Sequence, residues 1–346
     1  MNKAGCGCGE KTQGQCVPAT EQSAQATGVL SAAVSWRDVL GGWGVRWGFR
    51  RMRYLIAPGL YRIGEPGSNS PVLVTANYKL TVDTLRNSLT GLNVWLPVLD
   101  TKGVNVWCAA GKGTFGTEEL VRRIQVTGLT GIVRHRKLVL PQLGAVGVAA
   151  HEVKRATGFS VHYGPVRAAD IPAYLAAGMR ATPAMRRVSF DWKDRLRVAP
   201  MEIAGAFKPT LVILALLALL DLVRHHRVTS HLAIDMAPFL AAVLTGGLLV
   251  PLLLPWLPFR PFALKGAVAG LPLAGALLFF LPMGIAEGVG LALLVLAITA
   301  YMAMAFTGAT TFTTLAGVRV EVRWALPLIL ISAGAGAILR VAGAFS

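Results

Sequence analysis

The chain has 346 residues, and 34 Lys and Arg against 17 Asp and Glu give it a formal net charge of +17. Hydrophobic residues make up 54% of the chain, more than an ordinary soluble domain contains. Charged residues lie mostly before Lys208, and long uncharged runs follow it. The sequence therefore predicts a basic domain in water and a second domain in a membrane. No aromatic-and-basic recognition motif or helix-turn-helix pattern accompanies the positive charge, which argues against nucleic acid as a partner. The charge favours anionic membrane lipid instead.

Residues 1–30 are small, polar and rich in glycine, so we expect a disordered tail. The tail carries Cys6, Cys8 and Cys16, one ligand short of the four that a structural zinc or an iron–sulfur cluster normally takes. Free thiols are the favoured interpretation, and capture of a soft metal is the alternative. Residues 31–70 form a basic and aromatic arm, whose rings and guanidinium groups suit a membrane interface or packing on the following domain.

Short β-rich runs alternate with helical runs over residues 71–185. Most of the strands are uninterrupted apolar runs, as in a parallel sheet that is covered on both faces. We therefore predict an α/β domain of Rossmann-like type. The predicted strands are Val72–Thr75, Asn93–Val98, Val104–Trp107, Leu138–Leu140 and Ser160–His162, and the predicted helices are Val82–Leu89, Thr117–Gln125, Val148–Thr157 and Asp170–Ala177.

Two near-identical segments occur inside this domain, NVWLPV from Asn93 and NVWCAAGKG from Asn105. The spacing between them is too short for a helical crossover, which needs about a dozen residues or more. Two interpretations remain open: a hairpin around residues 100–103, or one strand followed by a loop and a helical turn that carries Cys108.

A basic linker, residues 186–208, leads to an all-α transmembrane domain over residues 209–346. A helix needs about 20 residues to cross a hydrocarbon core of about 30 Å, and the first and last apolar segments are shorter than that. We predict about five spans, with four as the alternative. The segments are approximately Pro209–Val223, Leu232–Leu257, Phe262–Met283, Gly288–Phe306 and Trp324–Leu339.

The distribution of Lys and Arg between the loops places the N-terminal domain in the cytoplasm, under the positive-inside rule. The predicted location is thus the inner (cytoplasmic) membrane, as a multi-pass protein. The spans lack a buried series of charged residues, which favours an anchor over a transporter.

Cys108 follows an apolar run and precedes Ala109, Ala110 and Gly111. Small residues let a large flat ligand approach the backbone, and a thiol directed at that ligand can bind a metal that it carries. The alternative is a buried cysteine that acts as a small hydrophobic residue, which the spacing alone favours.

The segment NVWCAAGKGTFGT resembles the signature of the membrane-anchored corrinoid protein of the mercury-methylating pair, a relative of the corrinoid iron–sulfur protein of the acetyl-CoA pathway. The resemblance extends over Pro71–Thr81, Val98–Thr117, Leu140–Leu175 and Thr307–Val318. The N-terminal cysteine tetrad of the acetyl-CoA-pathway relative is missing, which favours the mercury-methylating branch. The resemblance implies a corrinoid (cobalamin) whose cobalt takes Cys108 as its lower axial ligand. The Asp-x-His-x-x-Gly pattern by which other corrinoid proteins supply a histidine is absent.

The resemblance, together with the rule that ligands bind beyond the carboxyl ends of parallel strands, implies a set of cofactor-binding residues. They are Asn77, Thr81, Asn105, Val106, Trp107, Ala109, Ala110, Gly111, Lys112, Gly113, Thr114, Gln142, Tyr163 and Gly164. A role in turn or core structure is the alternative for Asn77, Gln142 and Tyr163, and simple solvation is the alternative for Lys112.

The activity that the resemblance implies is that of a corrinoid-dependent methyltransferase, which moves a methyl group from Cys-ligated cobalt to inorganic Hg(II) and forms methylmercury. A soft anionic thiolate opposite the methyl group favours its departure as a carbanion equivalent. The alternative function is a membrane-anchored corrinoid methyl carrier in one-carbon and acetyl-CoA metabolism. The implied partners are a ferredoxin-like iron–sulfur protein as electron donor and a methyl donor of one-carbon metabolism.

Overall fold

The computed structural model of the chain describes residues 27–227, 229, 231–309, 312–313 and 315–344. The chain divides into two compact units: an α/β unit, Met1–Val39 with Met52–Arg187, and a helical unit, Leu40–Arg51 with Val188–Ser346. The predictions for Cys6, Cys8 and Cys16 lie outside the described residues. The expectation of disorder through residue 30 is wrong at its end, because Thr27–Val29 forms a strand that pairs with Gly59–Ile63.

The elements that precede Arg187 match most of the predicted strands and helices to within a few residues. In chain order they are β1 (Thr27–Val29), α1 (Trp36–Arg46), β2 (Gly59–Ile63), β3 (Thr75–Ala76), α2 (Lys79–Ser88), β4 (Val94–Leu99), α3 (Val106–Gly111), α4 (Thr117–Val126), α5 (Leu129–Ile132), β5 (Lys137–Leu140), α6 (Ala150–Thr157), β6 (Ser160–Tyr163) and α7 (Ile171–Ala176).

The predicted strand Val104–Trp107 is wrong, and with it the hairpin interpretation. A turn follows β4, and α3 begins at Val106, so the second interpretation, a helical turn that carries Cys108, is confirmed. Helix α1 and strand β2 were not predicted. The short run that forms β2 becomes a strand because all of its residues pair with β4 in antiparallel register, a contact between segments that are distant in sequence.

The centre of the sheet is the segment Pro71–Asn77. On one side its backbone bonds to β4, where Leu73 N donates to Trp95 O at 2.9 Å, and on the other to β5, where Val74 N donates to Val139 O at 2.8 Å. Strand β3, at the end of this segment, runs parallel to β4, and β5 runs parallel to β6. The parallel strands therefore lie in the order β4–β3–β5–β6. Chain order reverses at the central segment, which is the position where α/β sheets bind ligands.

Successive residues of the central segment pack into two different apolar clusters. Val72, Val74 and Ala76 belong to the cluster that contains α3 and α4, whereas Leu73 belongs to the cluster that contains Leu85 of α2. This alternation is the period of two of a β-strand. The prediction of an α/β domain whose sheet is covered on both faces is confirmed, but the sheet is mixed rather than all-parallel, because β2 pairs with β4 in antiparallel register.

A network of ion pairs holds the first turn of α1 against α2. Arg86 donates to Asp38 at 2.6 Å and to Asp83 at 2.9 Å, and Lys79 pairs with both carboxylates. Arg86 also donates to the carbonyl of Ser31 at 2.7 Å. Burial opposes ionisation of Asp38, but hydrogen bonds from Lys79, Ser35 and Arg86 outweigh it and hold the pKa of Asp38 well below its usual range.

Among its described residues, the helical unit has five helices that are long and apolar enough to cross a membrane. Its elements are α8 (Trp192–His225), α9 (His231–Leu244), α10 (Val250–Leu253), α11 (Phe262–Phe280), α12 (Ile285–Ala305) and α13 (Leu315–Ala344). The π-helical turn Thr245–Leu249 joins α9 to α10, so the two form one continuous helix. The first and last apolar segments, which are too short by themselves, are extended by flanking residues into longer helices: α8 has 34 residues and α13 has 30.

Helix α12 packs against α11 and α13 through glycines. A Cβ on Gly266 of α11 would lie 2.3 Å from Thr299 O, and one on Gly290 of α12 would lie 2.8 Å from Gly336 O of α13. Small residues allow this close approach, as they do between helices in membranes.

Asp235 and Glu287, which lie near segment ends in the sequence, converge on one arginine in the helical unit. Arg340 donates to Glu287 at 2.7 Å and also pairs with Asp235. The cluster thus joins three helices of the bundle through ion pairs.

The substitution Asp38→Asn removes the carboxylate that Lys79 and Arg86 share. Because the folded-state pKa of Asp38 lies below its unfolded value, its contribution is present above that unfolded value, about 4, and is lost as the pH falls toward the folded value. We expect the variant to lose roughly 1 kcal/mol of unfolding free energy at neutral pH, and its thermal midpoint to fall less on acidification. Thermal unfolding of the full chain in detergent, followed by circular dichroism, measures both. Glu118→Gln, at an exposed position of α4, is the control; equal pH profiles for wild type and Asp38→Asn would contradict the prediction.

Candidate functional site

Cys108 is the third residue of the short helix α3. The helix is capped by Asn105, whose side-chain oxygen accepts a hydrogen bond from the amide of Cys108 at 2.9 Å, as expected of asparagine at an N-cap. Val106, Ala109 and Ala110 are buried in the core, while Trp107 and Cys108 are exposed. The alternative that Cys108 is a buried hydrophobic residue is therefore wrong. One face of the helix packs in the core, and the thiol lies on the other face, exposed to solvent.

The loop that follows β5 packs closely on α3. A Cβ on Gly147 would lie 2.2 Å from Phe115 O and 3.0 Å from Ala110 Cα, and one on Gly144 would lie 2.6 Å from the Phe115 ring. Phe115 is fully buried and its amide donates to Ala109 O at 3.1 Å. Only glycine permits this contact, so these two glycines fix the distance between the loop and the helix that carries the thiol.

Asn77, at the carboxyl end of the central segment, organises the turn that leads into α3. Its side chain is 2% exposed, and its oxygen accepts hydrogen bonds from Thr101 N at 3.1 Å, Thr101 Oγ1 at 2.9 Å and Gly103 N at 3.0 Å. The amide nitrogen donates to Asp100 at 3.3 Å. The structure thus places Asn77 as a buried support of the turn, which was the alternative to cofactor contact.

Helix α4 holds the same turn from the other side. Glu119 accepts a hydrogen bond from Asp100 N at 2.9 Å and pairs with Arg123 at 2.6 Å. Burial raises the pKa of Glu119, but this backbone bond and the neighbouring arginines outweigh burial and lower it. An ionised carboxylate at Glu119 therefore fixes the start of the turn at neutral pH.

The end of β6 reaches the same loop. Tyr163 donates from its hydroxyl to Val148 O at 2.7 Å, and burial raises its pKa, so the hydroxyl stays protonated as a donor. Gly164 is buried, its amide donates to Leu140 O at 2.8 Å, and a Cβ there would lie 2.9 Å from Val139 Cγ1. Both residues shape the edge of the sheet where β5 and β6 end.

The remaining predicted residues take different positions. Lys112 is the exposed C-cap of α3, and Thr114 donates to Ala109 O at 3.4 Å. Gln142 begins the turn after β5 and accepts a hydrogen bond from Arg186 at 2.7 Å. Thr81 lies in the first turn of α2, on the element that follows β3. The structure therefore brings the 141–149 loop and Tyr163 close to residues 105–114, which include α3. Asn77 supports the turn that precedes α3 through its hydrogen bonds to Thr101 and Gly103.

The sequence did not single out three residues that shape this site: Phe115, Val146 and Gly147. Val146 is 79% exposed at the tip of the loop packed on α3, and Trp107 on α3 is 45% exposed. The sequence did contain a signal for this contact. Gly144 and Gly147 lie three residues apart in the loop after a strand, and glycine at such positions allows two backbones to approach closely.

The surface beside the thiol suits a flat ring that brings its own metal. Gly111 and Gly113 are exposed and have open space where a Cβ would stand, so a planar ligand can approach there. A single thiolate supplies one soft ligand. Within the described ranges of the chain, no group of three or more His, Cys, Asp or Glu could hold a bare metal ion. The Cys108 sulfur could supply one ligand to a metal that a bound molecule carries.

Comparison with known proteins points to one protein class for the α/β unit. Residues 54–175 match a family described as "CO dehydrogenase/acetyl-CoA synthase delta subunit". The acetyl-CoA decarbonylase/synthase complex subunit gamma of Methanopyrus kandleri is 38% identical over 122 residues, which is 35% of this chain and 26% of that protein. The subunit gamma of Archaeoglobus fulgidus is 36% identical over the same shares. The corrinoid/iron-sulfur protein large subunit of Moorella thermoacetica is 30% identical over 122 residues, 35% of this chain and 27% of that protein.

The chain thus spans about a quarter of the length of these curated relatives. The matched stretch contains the central segment, α3 with Cys108, the 141–149 loop and Tyr163. The chain is thus similar to these subunits over the part of the fold that builds the candidate site.

The substitution Gly147→Ala tests whether the loop must touch α3. The added methyl group would overlap Phe115 O, a backbone atom that cannot rotate away, so we expect a loss of about 1–3 kcal/mol of unfolding free energy. Hydrogen exchange should speed up in α3 and in the loop. Gly131→Ala is the matched control, because nothing lies within 4 Å of a Cβ at that position. Equal stability of the two alanine variants would show that the loop moves without cost.

Proposed function

We propose that the α/β unit binds a corrinoid with Cys108 as the axial ligand of its cobalt, and that the chain carries and transfers a methyl group. The single observation that supports this most is the exposed Cys108 thiol on a capped helical turn, beside glycines that leave a flat approach. The bound corrinoid would supply a cobalt that accepts and releases a methyl group. The position at the switch point of the parallel sheet agrees with this assignment.

The residues of the chain would each have a defined part. Asn105 fixes the amide of Cys108, and so the direction of the thiol, through the capping bond. Val106, Ala109 and Ala110 anchor α3 in the core, which prevents the helix from yielding when the thiol is bound. Trp107 and Val146 offer exposed apolar surface, which would cover the ring and exclude water from the reacting face.

The comparisons support methyl carriage of the acetyl-CoA-pathway kind more directly than any other activity. The named relatives are subunits of the acetyl-CoA decarbonylase/synthase complex and the large subunit of a corrinoid/iron-sulfur protein. We infer that this chain is a corrinoid methyl carrier with a helical domain that anchors it in the inner (cytoplasmic) membrane. The five long apolar helices support the anchor, and the excess of Lys and Arg before them supports a cytoplasmic α/β unit.

We propose in addition that the acceptor of the methyl group is inorganic Hg(II), so that the chain acts as an enzyme that forms methylmercury. This rests on the resemblance of NVWCAAGKGTFGT, Asn105–Thr117, to the mercury-methylating corrinoid proteins. The Cys108 thiolate would be a soft donor to the cobalt, which would favour transfer of the methyl group to a soft electrophile. A ferredoxin-like iron–sulfur protein would supply electrons, and a donor of one-carbon metabolism would supply the methyl group.

Cys108→Ala should abolish methyl transfer and change the visible spectrum of bound cobalamin, because it removes the axial thiolate. The exposed position of the side chain predicts an unchanged fold and a free energy of unfolding within about 0.5 kcal/mol of the wild type. The measurements are the absorption spectrum after addition of cobalamin, methyl transfer from a methylated donor and circular dichroism.

Two controls sharpen this test. Replacing Cys6, Cys8 and Cys16 together with serine removes the other thiols of the chain and should leave the spectrum unchanged. Asn105→Ala keeps the thiol but removes its capping bond, and should broaden or shift the same spectral feature rather than abolish it. A wild-type spectrum from Cys108→Ala would refute the ligand assignment.

Methylmercury yield separates the two acceptors. Membranes that contain this chain and a reduced ferredoxin, given a methyl donor and Hg(II) with a low-molecular-weight thiol, should form methylmercury above the yield of Cys108→Ala membranes. If both yield only background while wild-type protein still exchanges methyl groups with the donor, the carrier function stands without the mercury step.

A further inference from the structure

Helix α1 presents an apolar face that the described chain leaves uncovered. Trp36, Val39, Leu40, Trp43 and Trp47 recur at intervals of three and four residues, which places them on one side of a helix. Trp47 N donates to Trp43 O at 3.1 Å, so the helical turn continues through it. Each of the five side chains is about half exposed or more, from 49% at Trp47 to 67% at Trp36.

The opposite side of α1 packs against protein. Val45 is 2% exposed and Gly42 is buried, and Asp38 takes part in the ion pairs with Lys79 and Arg86. The buried residues and the exposed aromatic residues therefore lie on opposite sides of α1. Such an exposed apolar patch on a fixed helix marks an interaction surface.

Arginines border this apolar face. Arg37 lies 5.4 Å from the centre of the Trp36 ring, Arg46 lies 6.0 Å from that of Trp43, and Arg50 lies 5.5 Å from that of Phe49. A helix that lies in the plane of the membrane surface commonly has tryptophans on one face and arginines beside them. The rings then lie at the start of the acyl chains, and the cations lie among the lipid phosphates. Charge complementarity therefore selects an anionic lipid surface.

The chain after α1 is bound to the first long apolar helix. Leu40–Arg51 belongs to the same compact unit as the five candidate spans. The guanidinium of Arg51 contacts the sulfur of Met201 on α8 and attracts the carboxylate of Glu202. These residues precede the uncharged stretch of α8 that begins after Lys208, so Arg51 meets α8 near the end where it would leave the membrane.

We propose that α1 is an interfacial helix that binds anionic phospholipid headgroups on the side of the membrane where α8 begins. The aromatic face enters the boundary between headgroups and acyl chains, and Arg37, Arg46 and Arg50 bind lipid phosphates. Its attachment therefore strengthens with the fraction of anionic lipid and weakens with salt. This inference does not depend on the corrinoid or on the methyl acceptor.

Fluorescence quenching in lipid nanodiscs tests the proposal on the full chain. Wild type is compared with Trp36→Phe/Trp43→Phe/Trp47→Phe in nanodiscs of phosphatidylcholine brominated in the upper acyl chain, with and without phosphatidylglycerol. Phenylalanine keeps the face apolar, so the difference between the two proteins reports only the three tryptophans of α1. We expect that component to be strongly quenched, and more so with phosphatidylglycerol. An α1 component that escapes bromine quenching in both lipids would refute the proposal.

A charge-neutralising variant tests the arginines. Arg37→Gln/Arg46→Gln/Arg50→Gln should lose the gain from phosphatidylglycerol, since each arginine near an anionic surface changes partitioning roughly fivefold at low salt. Arg134→Gln/Arg155→Gln/Arg180→Gln removes the same charge from exposed positions of the α/β unit and should behave as wild type. Equal effects of the two triple variants would overturn the assignment of α1 as the lipid-binding element. They would show that the effect of phosphatidylglycerol depends only on the total charge of the chain.

Discussion

The hydrogen bonds on the two sides of the segment Pro71–Asn77 determine most of the structure around the candidate site. Leu73 and Asn77 bond to β4, and Val74 bonds to β5. Since all three neighbours run parallel, their carboxyl ends meet at one edge, and the connections that leave them go to opposite faces of the sheet. The turn before α3 starts at the end of β4, and the 141–149 loop starts at the end of β5. The position of Cys108 on α3 therefore depends on how the central segment pairs with β4 and β5.

The thiol stands on a rigid support although α3 is short. A helix of six residues has little stability of its own. Here Asn105 caps it, Asn77 and Glu119 hold the preceding turn, and Gly144 and Gly147 bring a loop against its side. A ligand that binds one metal position needs this kind of support, because a small displacement of the sulfur changes its bond to the metal. The polar groups inside this region are hydrogen-bonded, which is the condition for burying them.

The two compact units follow different packing rules. The α/β unit buries Val, Leu and Ile on both faces of a sheet, as the hydrophobic effect in water requires. In the helical unit, large apolar residues such as Phe279 and Ile331 are exposed, while glycines lie between the helices. That inversion is expected where lipid is the solvent. Helix α1 combines both rules, with a buried side toward protein and an exposed aromatic side, and its arginines complement the headgroups that separate water from lipid.

The sequence by itself determined the two-part organisation, the α/β class, the five long apolar helices and Cys108 as the residue of interest, because composition and local periodicity act within one segment. It left open whether the second NVW segment is a strand or a helical turn, and it did not predict β2 or that the basic and aromatic arm forms the helix α1. Those features depend on distant partners: β4 for β2, Asn77 and the 141–149 loop for α3, and Asp38 with Lys79 and Arg86 for α1. Asn77 shows the same limit, since the family resemblance suggested a ligand contact and only the tertiary structure revealed a buried amide that accepts three hydrogen bonds from one turn.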